Sequence, residues 1–178
     1  KRGYRGPIYT QRATKDLSKI MLEDSARLAG ADVEYENRRR ARRGLKALEP
    51  LYDEGDVEDV LHQLKAVDYD KTVELFPGLR FRLRDAGHII GAAIVELWAD
   101  EDDGTRKLVF SGDIGPKGTP ILRDPSIVDE ADLVMLESTY GDRTHDSRKT
   151  RRQRLQALCE HAFSNGGTVL VPAFSIGR

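Results

Sequence analysis

Cysteine, tryptophan, methionine and long apolar runs are all scarce in this chain. Of 178 residues, one is cysteine, one tryptophan, two are methionine and four histidine. A single thiol, Cys159, cannot close an internal disulfide, so a reducing, cytoplasmic setting is expected. Cys159 falls among Leu155, Leu158 and Ala162 at helical spacing, where a buried structural cysteine is expected rather than a nucleophile. No apolar run reaches the length of a membrane span, and no leader segment is visible. An excess of one charge is lacking too. The net charge is −1, which excludes an overall basic field that would draw in nucleic acid. Attraction of that kind would have to be local, at residues 38–43 or 148–152. Glu34, Glu36 and Glu49 flank the first run, so a solvated helix face is its expected role.

What is present is a polar globular composition, with 39% hydrophobic and 33% charged residues. A modest core under a highly charged surface follows. The first portion has helical spacing. A short strand at residues 7–10 precedes a helix through Leu17, Ile20, Met21 and Leu28, which Gly30 should end. Residues 34–44 form a further charged helix. Asp56 is the expected N-cap of another, with Val57, Val60, Leu61 and Leu64 on its apolar face.

Strands dominate the middle. Residues 73–76 lead through the turn Pro77-Gly78 into an alternation of Leu79, Phe81 and Leu83 with Arg80, Arg82 and Arg84, the period of a half-exposed strand. Residues 92–99 and 107–110 are strands joined by Asp102-Asp103-Gly104. Residues 133–136 read as a short buried strand. The last portion is one α-then-β unit, a helix over 147–163, a break at Gly166-Gly167 and a strand over 168–171. The fold class is therefore α/β, with a domain boundary after Gly141, giving 1–141 and 142–178. The chain opens on Lys1 without a methionine and closes on Ile176-Gly177-Arg178, and it reads as a piece of a longer protein.

Three short motifs sit at the ends of strand-like runs, almost evenly spaced: Asp85-Ala86-Gly87-His88, Ser111-Gly112-Asp113 and Glu137-Ser138-Thr139-Tyr140-Gly141. Strand ends hold a ligand rigidly with its tip free. Imidazole plus carboxylate suits zinc, and a carboxylate can bridge two ions. Taken singly, His88 fits a turn, Asp113 a turn and Glu137 a cap, so the reading rests on the joint pattern. Residues 111–118 are not a nucleotide-phosphate loop, because Lys117 is not followed by Ser or Thr. Ser138 lies in no Gly-x-Ser-x-Gly elbow, which argues against a serine hydrolase.

The ordered motifs resemble those of the metallo-β-lactamase superfamily, and within it the β-CASP branch of nucleic-acid-processing enzymes. The run from Asp85 to Ala93 is similar to a metal motif of that branch. Phe110-Ser111-Gly112-Asp113 is similar to the next, and Glu137-Ser138-Thr139-Tyr140-Gly141 to the first β-CASP motif. The likeness extends from Gly6-Pro7-Ile8-Tyr9 to Pro172-Ala173-Phe174-Ser175-Ile176-Gly177-Arg178. It implies a partial αββα sandwich followed by the first α/β unit of a β-CASP domain. It also implies His88 as a zinc ligand, Asp113 as a catalytic carboxylate bridging two zinc ions, and Glu137 as a catalytic acid that holds a later histidine in a proton relay.

By the same resemblance the longer protein would be a zinc-dependent ribonuclease. Single-stranded RNA would be the substrate and DNA the second candidate, cut by metal-activated water. Arg178 and His145 are the candidate substrate contacts, each with a bland alternative as a solvated cation and a loop histidine. The branch's His-x-His-x-Asp-His motif is missing here. His62 and His161 sit on helices without that pattern and read as surface or packing residues. With two ligands where zinc takes four, weak or absent zinc binding and no catalysis are expected of this stretch alone. A catalytically silent RNA-binding or scaffold homologue is the alternative function, and a small-molecule hydrolase a third. A homodimer is a candidate assembly.

Overall fold

The computed structural model describes residues 3–144 and 147–176. They divide into two compact units, Lys1–Leu136 and Glu137–Arg178.

The first unit begins with β1 (Ile8–Gln11), followed by α1 (Arg12–Arg42), α2 (Glu54–Gln63) and β2 (Leu64–Val67). β1 and β2 pair in parallel, Ile8 opposite Leu64 and Gln11 opposite Val67. Parallel pairing needs a long crossover, and the two helices supply it. α1 is one helix of 31 residues, so Gly30 does not end it. A single glycine costs an exposed helix about 1 kcal/mol, too little to break a segment free of proline and rich in Ala, Leu, Glu and Arg. Its last turn carries Arg39, Arg40 and Arg42, which suit the negative end of the helix dipole.

The N-cap of α2 is Asp53 and not Asp56. Asp53 accepts from the Asp56 amide at 3.0 Å while Asp56 accepts from the Asp53 amide at 3.1 Å, a reciprocal capping box. Leu64 has left the helix for an extended conformation and opens β2.

A five-stranded sheet follows, in the order β3 (Thr72–Phe76), β4 (Leu79–Asp85), β5 (Ala93–Glu101), β6 (Gly104–Phe110) and β7 (Leu133–Met135). β3 to β6 form an antiparallel meander, and β7 joins β6 in parallel. One face carries Phe81 and Leu83, which bury against Val67 of the smaller ladder with Val95 and Leu97 beside them. The Tyr9 ring lies 5.4 Å from that of Phe81, so β1 closes on the same face.

The arginine row of β4 lies on the other face, and a buried carboxylate gathers it. Glu96, 1% exposed, accepts from Arg82 and Lys107 at 2.7 Å each, with Arg84 at 3.8 Å. Trp98 sits between the Arg82 and Lys107 cations at 5.2 and 5.5 Å. Burial alone would raise the Glu96 pKa, but the hydrogen bonds from Arg82 and Lys107 outweigh it and hold the carboxyl below its ordinary range.

β7 is not buried: Leu133, Val134 and Met135 are all exposed at the sheet edge.

The second unit contains α3 (Arg148–Ser164). Leu155 and Leu158 are exposed, and Cys159 is half-buried rather than buried. Residues 168–171 form no strand, and Leu170 and Val171 face solvent. Strand-forming residues without a ladder partner stay irregular. Among the described residues, no helix is long and apolar enough to cross a membrane.

Candidate functional site

β4 and β6 are both antiparallel to β5 and therefore point the same way, and β7 runs parallel to β6. Their C-terminal ends lie at one end of the sheet. His88 stands just beyond β4, Asp113 just beyond β6, and Glu137 follows β7 in sequence as the first residue of the second unit.

The His88 and Asp113 loops are joined through backbone. The Gly115 amide donates to the Ala86 carbonyl at 2.8 Å. A Cβ at Gly115 would run into the Gly87 carbonyl and the His88 amide. Gly87 itself has φ +64°, and a Cβ there would come within 2.7 Å of the Arg123 carbonyl and 2.9 Å of Pro125. Only glycine meets both demands, the left-handed backbone and the close approach. The Asp85 carboxylate accepts from the Gly87 amide at 2.8 Å, and its carbonyl accepts from Ser126 at 2.8 Å. Three segments, 85–88, 113–115 and 123–126, thus form one braced corner beyond the sheet.

On that corner the His88 and Asp113 side chains are exposed. Among the described residues, no hydrogen bond or ion pair holds the His88 imidazole. Both side chains keep their tips free, and an imidazole with a carboxylate is a donor set that fits zinc. Among the described residues no three His, Cys, Asp or Glu side chains come together to hold an ion. His88 and Asp113 therefore fit as part of a ligand set. Beside the corner lies a cavity of about 270 Å³, lined by Gln11, Tyr69, Asp85, Ile90 and Arg123 among others. Burial, and then the Asp85 charge, push the Tyr69 hydroxyl up to about 12, so it stays protonated.

His145 and Arg178 lie outside the described residues. His62 is on α2, its ring nitrogen 2.8 Å from the Glu58 carbonyl, and His161 is on α3 beside Asn165. Arg38 and Arg39 pair with Glu34 and Glu36 on the solvated face of α1. Gly115 of this corner and Tyr69 of the cavity beside it are not among the residues that the sequence motifs single out. Gly115 closes Asp113-Ile114-Gly115 and carried a legible signal, a second glycine two residues beyond a candidate ligand.

No family model matches the chain. Individual relatives do. The chain is 38% identical over 99% of its length to Ribonuclease TTHA0252 of Thermus thermophilus, covering 36% of that protein. Over nearly its whole length the chain is thus similar to a ribonuclease, in keeping with the resemblance of its motifs to the β-CASP branch of the metallo-β-lactamase superfamily. It is 28% identical over 98% of its length to the cleavage and polyadenylation specificity factor subunit 3-I of Arabidopsis thaliana, covering 23% of it. A third relative is the transcription termination factor FttA of Methanocaldococcus jannaschii, 28% identical over 99% of the chain and 26% of that protein. The chain thus spans about a third or less of these relatives' lengths. Its mixed α/β architecture is consistent with part of a metallo-β-lactamase β-CASP protein.

Proposed function

We propose that this chain is part of a zinc-dependent ribonuclease of the β-CASP branch. Its first unit would belong to the metallo-β-lactamase domain, and residues from about Asp142 onward would open the β-CASP domain. The observation that carries the reading is the braced corner. Gly115 packed on the Gly87-His88 peptide brings an unpartnered imidazole and an exposed carboxylate to one end of the sheet. The Thermus relative is named a ribonuclease.

In this reading His88 would hold zinc through its imidazole and Asp113 through its carboxylate, with the remaining ligands drawn from the rest of the longer protein. Bound zinc supplies an activated water and neutralises charge on the phosphodiester. The Glu137 carboxylate orients a histidine from elsewhere in the protein, so that the pair carries a proton to the leaving oxygen. Arg178 pairs with a phosphate of the RNA strand and His145 contacts the substrate. Residues 1–178 alone hold zinc weakly.

The test uses the full-length protein. Metal analysis after dialysis should find zinc, and a labelled single-stranded RNA should be cut faster than DNA of the same sequence. His88→Ala and Asp113→Ala should abolish cleavage and lower zinc content while leaving the circular dichroism spectrum unchanged. Tight RNA binding without cleavage by the zinc-loaded wild type would instead establish the silent, RNA-binding reading.

A further inference from the structure

The far end of the His88 loop is held by two side chains to which the proposed chemistry gives no part. Thr14, in the first turn of α1, donates its hydroxyl to the Gly91 carbonyl at 2.7 Å. Gly91 has φ +86°, and a Cβ there would run into the Thr14 hydroxyl and come within 2.8 Å of its amide nitrogen. The helix start is therefore keyed against the loop, and no larger residue fits at 91. Tyr69, just beyond β2, donates its hydroxyl to the Ala92 carbonyl at 2.7 Å. The same carbonyl accepts from the Ala86 amide at 3.2 Å, and the Ala92 amide donates to the Ile89 carbonyl at 3.0 Å, closing the loop on itself. Tyr69 is fixed in turn, because the next residue's amide, Asp70, donates to Leu83 of β4 at 2.9 Å. Since no described residue bonds the His88 imidazole, its aim is set by the backbone of residues 86–92.

We infer that Thr14 and Tyr69 are positioning residues for His88: their two hydroxyls fix the far end of its loop and pre-aim the imidazole at a metal ion. This rests on the reading of His88 as a zinc ligand. A ligand held in place before the ion arrives has less freedom to lose on binding. Neither hydroxyl touches the ion or the substrate, so the effect should appear in metal affinity and loop rigidity and not in recognition of RNA.

The experiment compares Thr14→Val, Thr14→Ser and Tyr69→Phe in the full-length protein. Valine keeps the shape of threonine and phenylalanine the ring of tyrosine, so each removes little beyond one hydroxyl. Zinc affinity, by competition with a chelator, should weaken by roughly tenfold in Thr14→Val and in Tyr69→Phe, the scale seen when groups supporting a ligand are lost. Thr14→Ser should restore it. The KM for RNA should stay within about twofold of the wild type. Amide exchange across residues 86–92 in the metal-free protein should quicken in the two hydroxyl-less variants alone. Asp53→Ala, a remote cap variant, controls for general destabilisation and should leave both readouts unchanged.

Wild-type affinity in Thr14→Val and Tyr69→Phe, or a Thr14→Ser that behaves like Thr14→Val, overturns the inference. A wild type that takes up no zinc overturns the ligand reading instead. The exchange rates then decide by themselves whether the hydroxyls fix the loop, and unchanged rates overturn that as well.

Discussion

The two units carry apolar runs of the same kind and treat them differently. In the first, Val109 of β6 is 5% exposed between β5 and β7. In the second, Leu170 stands 86% exposed in a run, Val169-Leu170-Val171, that reads just as much like a strand. β-branched and aliphatic residues favour a pleated surface only when neighbouring strands provide one. β7 is the intermediate case: it has a ladder partner on one side, and its side chains remain exposed. Pairing sets the backbone, and burial needs a second layer as well.

That contrast predicts a gradient of mutational effects. The largest should come from Phe81→Ala, which removes the ring joining β4 to Tyr9 and Val67. A loss of about 3–5 kcal/mol in unfolding free energy is expected, measured by urea unfolding. Gly115→Ala should follow at about 2–3 kcal/mol, because its methyl group must push apart the His88 and Asp113 loops. Crystallography or amide exchange should place the disturbance at residues 86–88.

Glu96→Gln should cost about 1–2 kcal/mol at neutral pH, discounted because its cationic partners keep partial contact with water. The folded-state pKa of Glu96 lies below the ordinary 4.5. Its stabilisation is therefore present above that value and lost as pH falls through the lowered one. Stability measured from pH 6 down to pH 2 should decline less steeply in the variant, and an unchanged acid limb would remove Glu96 from the account.

The smallest effect should be that of Leu170→Ser, within about 0.5 kcal/mol. A loss above about 1 kcal/mol would mean that the segment is packed in solution, and the contrast between the units would dissolve.

The meander was legible because each of its signals is local. Leu79, Phe81 and Leu83 alternate with arginines, and the turns Pro77-Gly78 and Asp102-Asp103-Gly104 separate the runs. Sequence and structure part where local signals compete. Gly30 yields to a long helix around it, and Asp53 and Asp56 share a capping box that leaves the choice of cap to backbone conformation. Leu64 follows Leu61 at helical spacing, but its strand partner is Ile8, far away in the chain.

The candidate site divides along the same line. His88 and Asp113 announce themselves through flanking glycines. Thr14 and Tyr69 reach the His88 loop only through folding, and no pattern around either marks it. The arginines of β4 show alternation in sequence but not the acid at their centre, which lies on the next strand.

The corner beneath His88 and Asp113 is built from peptide groups, and this affects how such a site can be altered. An alanine scan treats glycine as a neighbour of its replacement, yet here one added carbon at Gly115 or Gly87 has nowhere to go. Grafting one loop from a relative would succeed only if both glycines and the 123–126 segment travelled with it. Three stretches distant in the chain therefore constitute one exchangeable module.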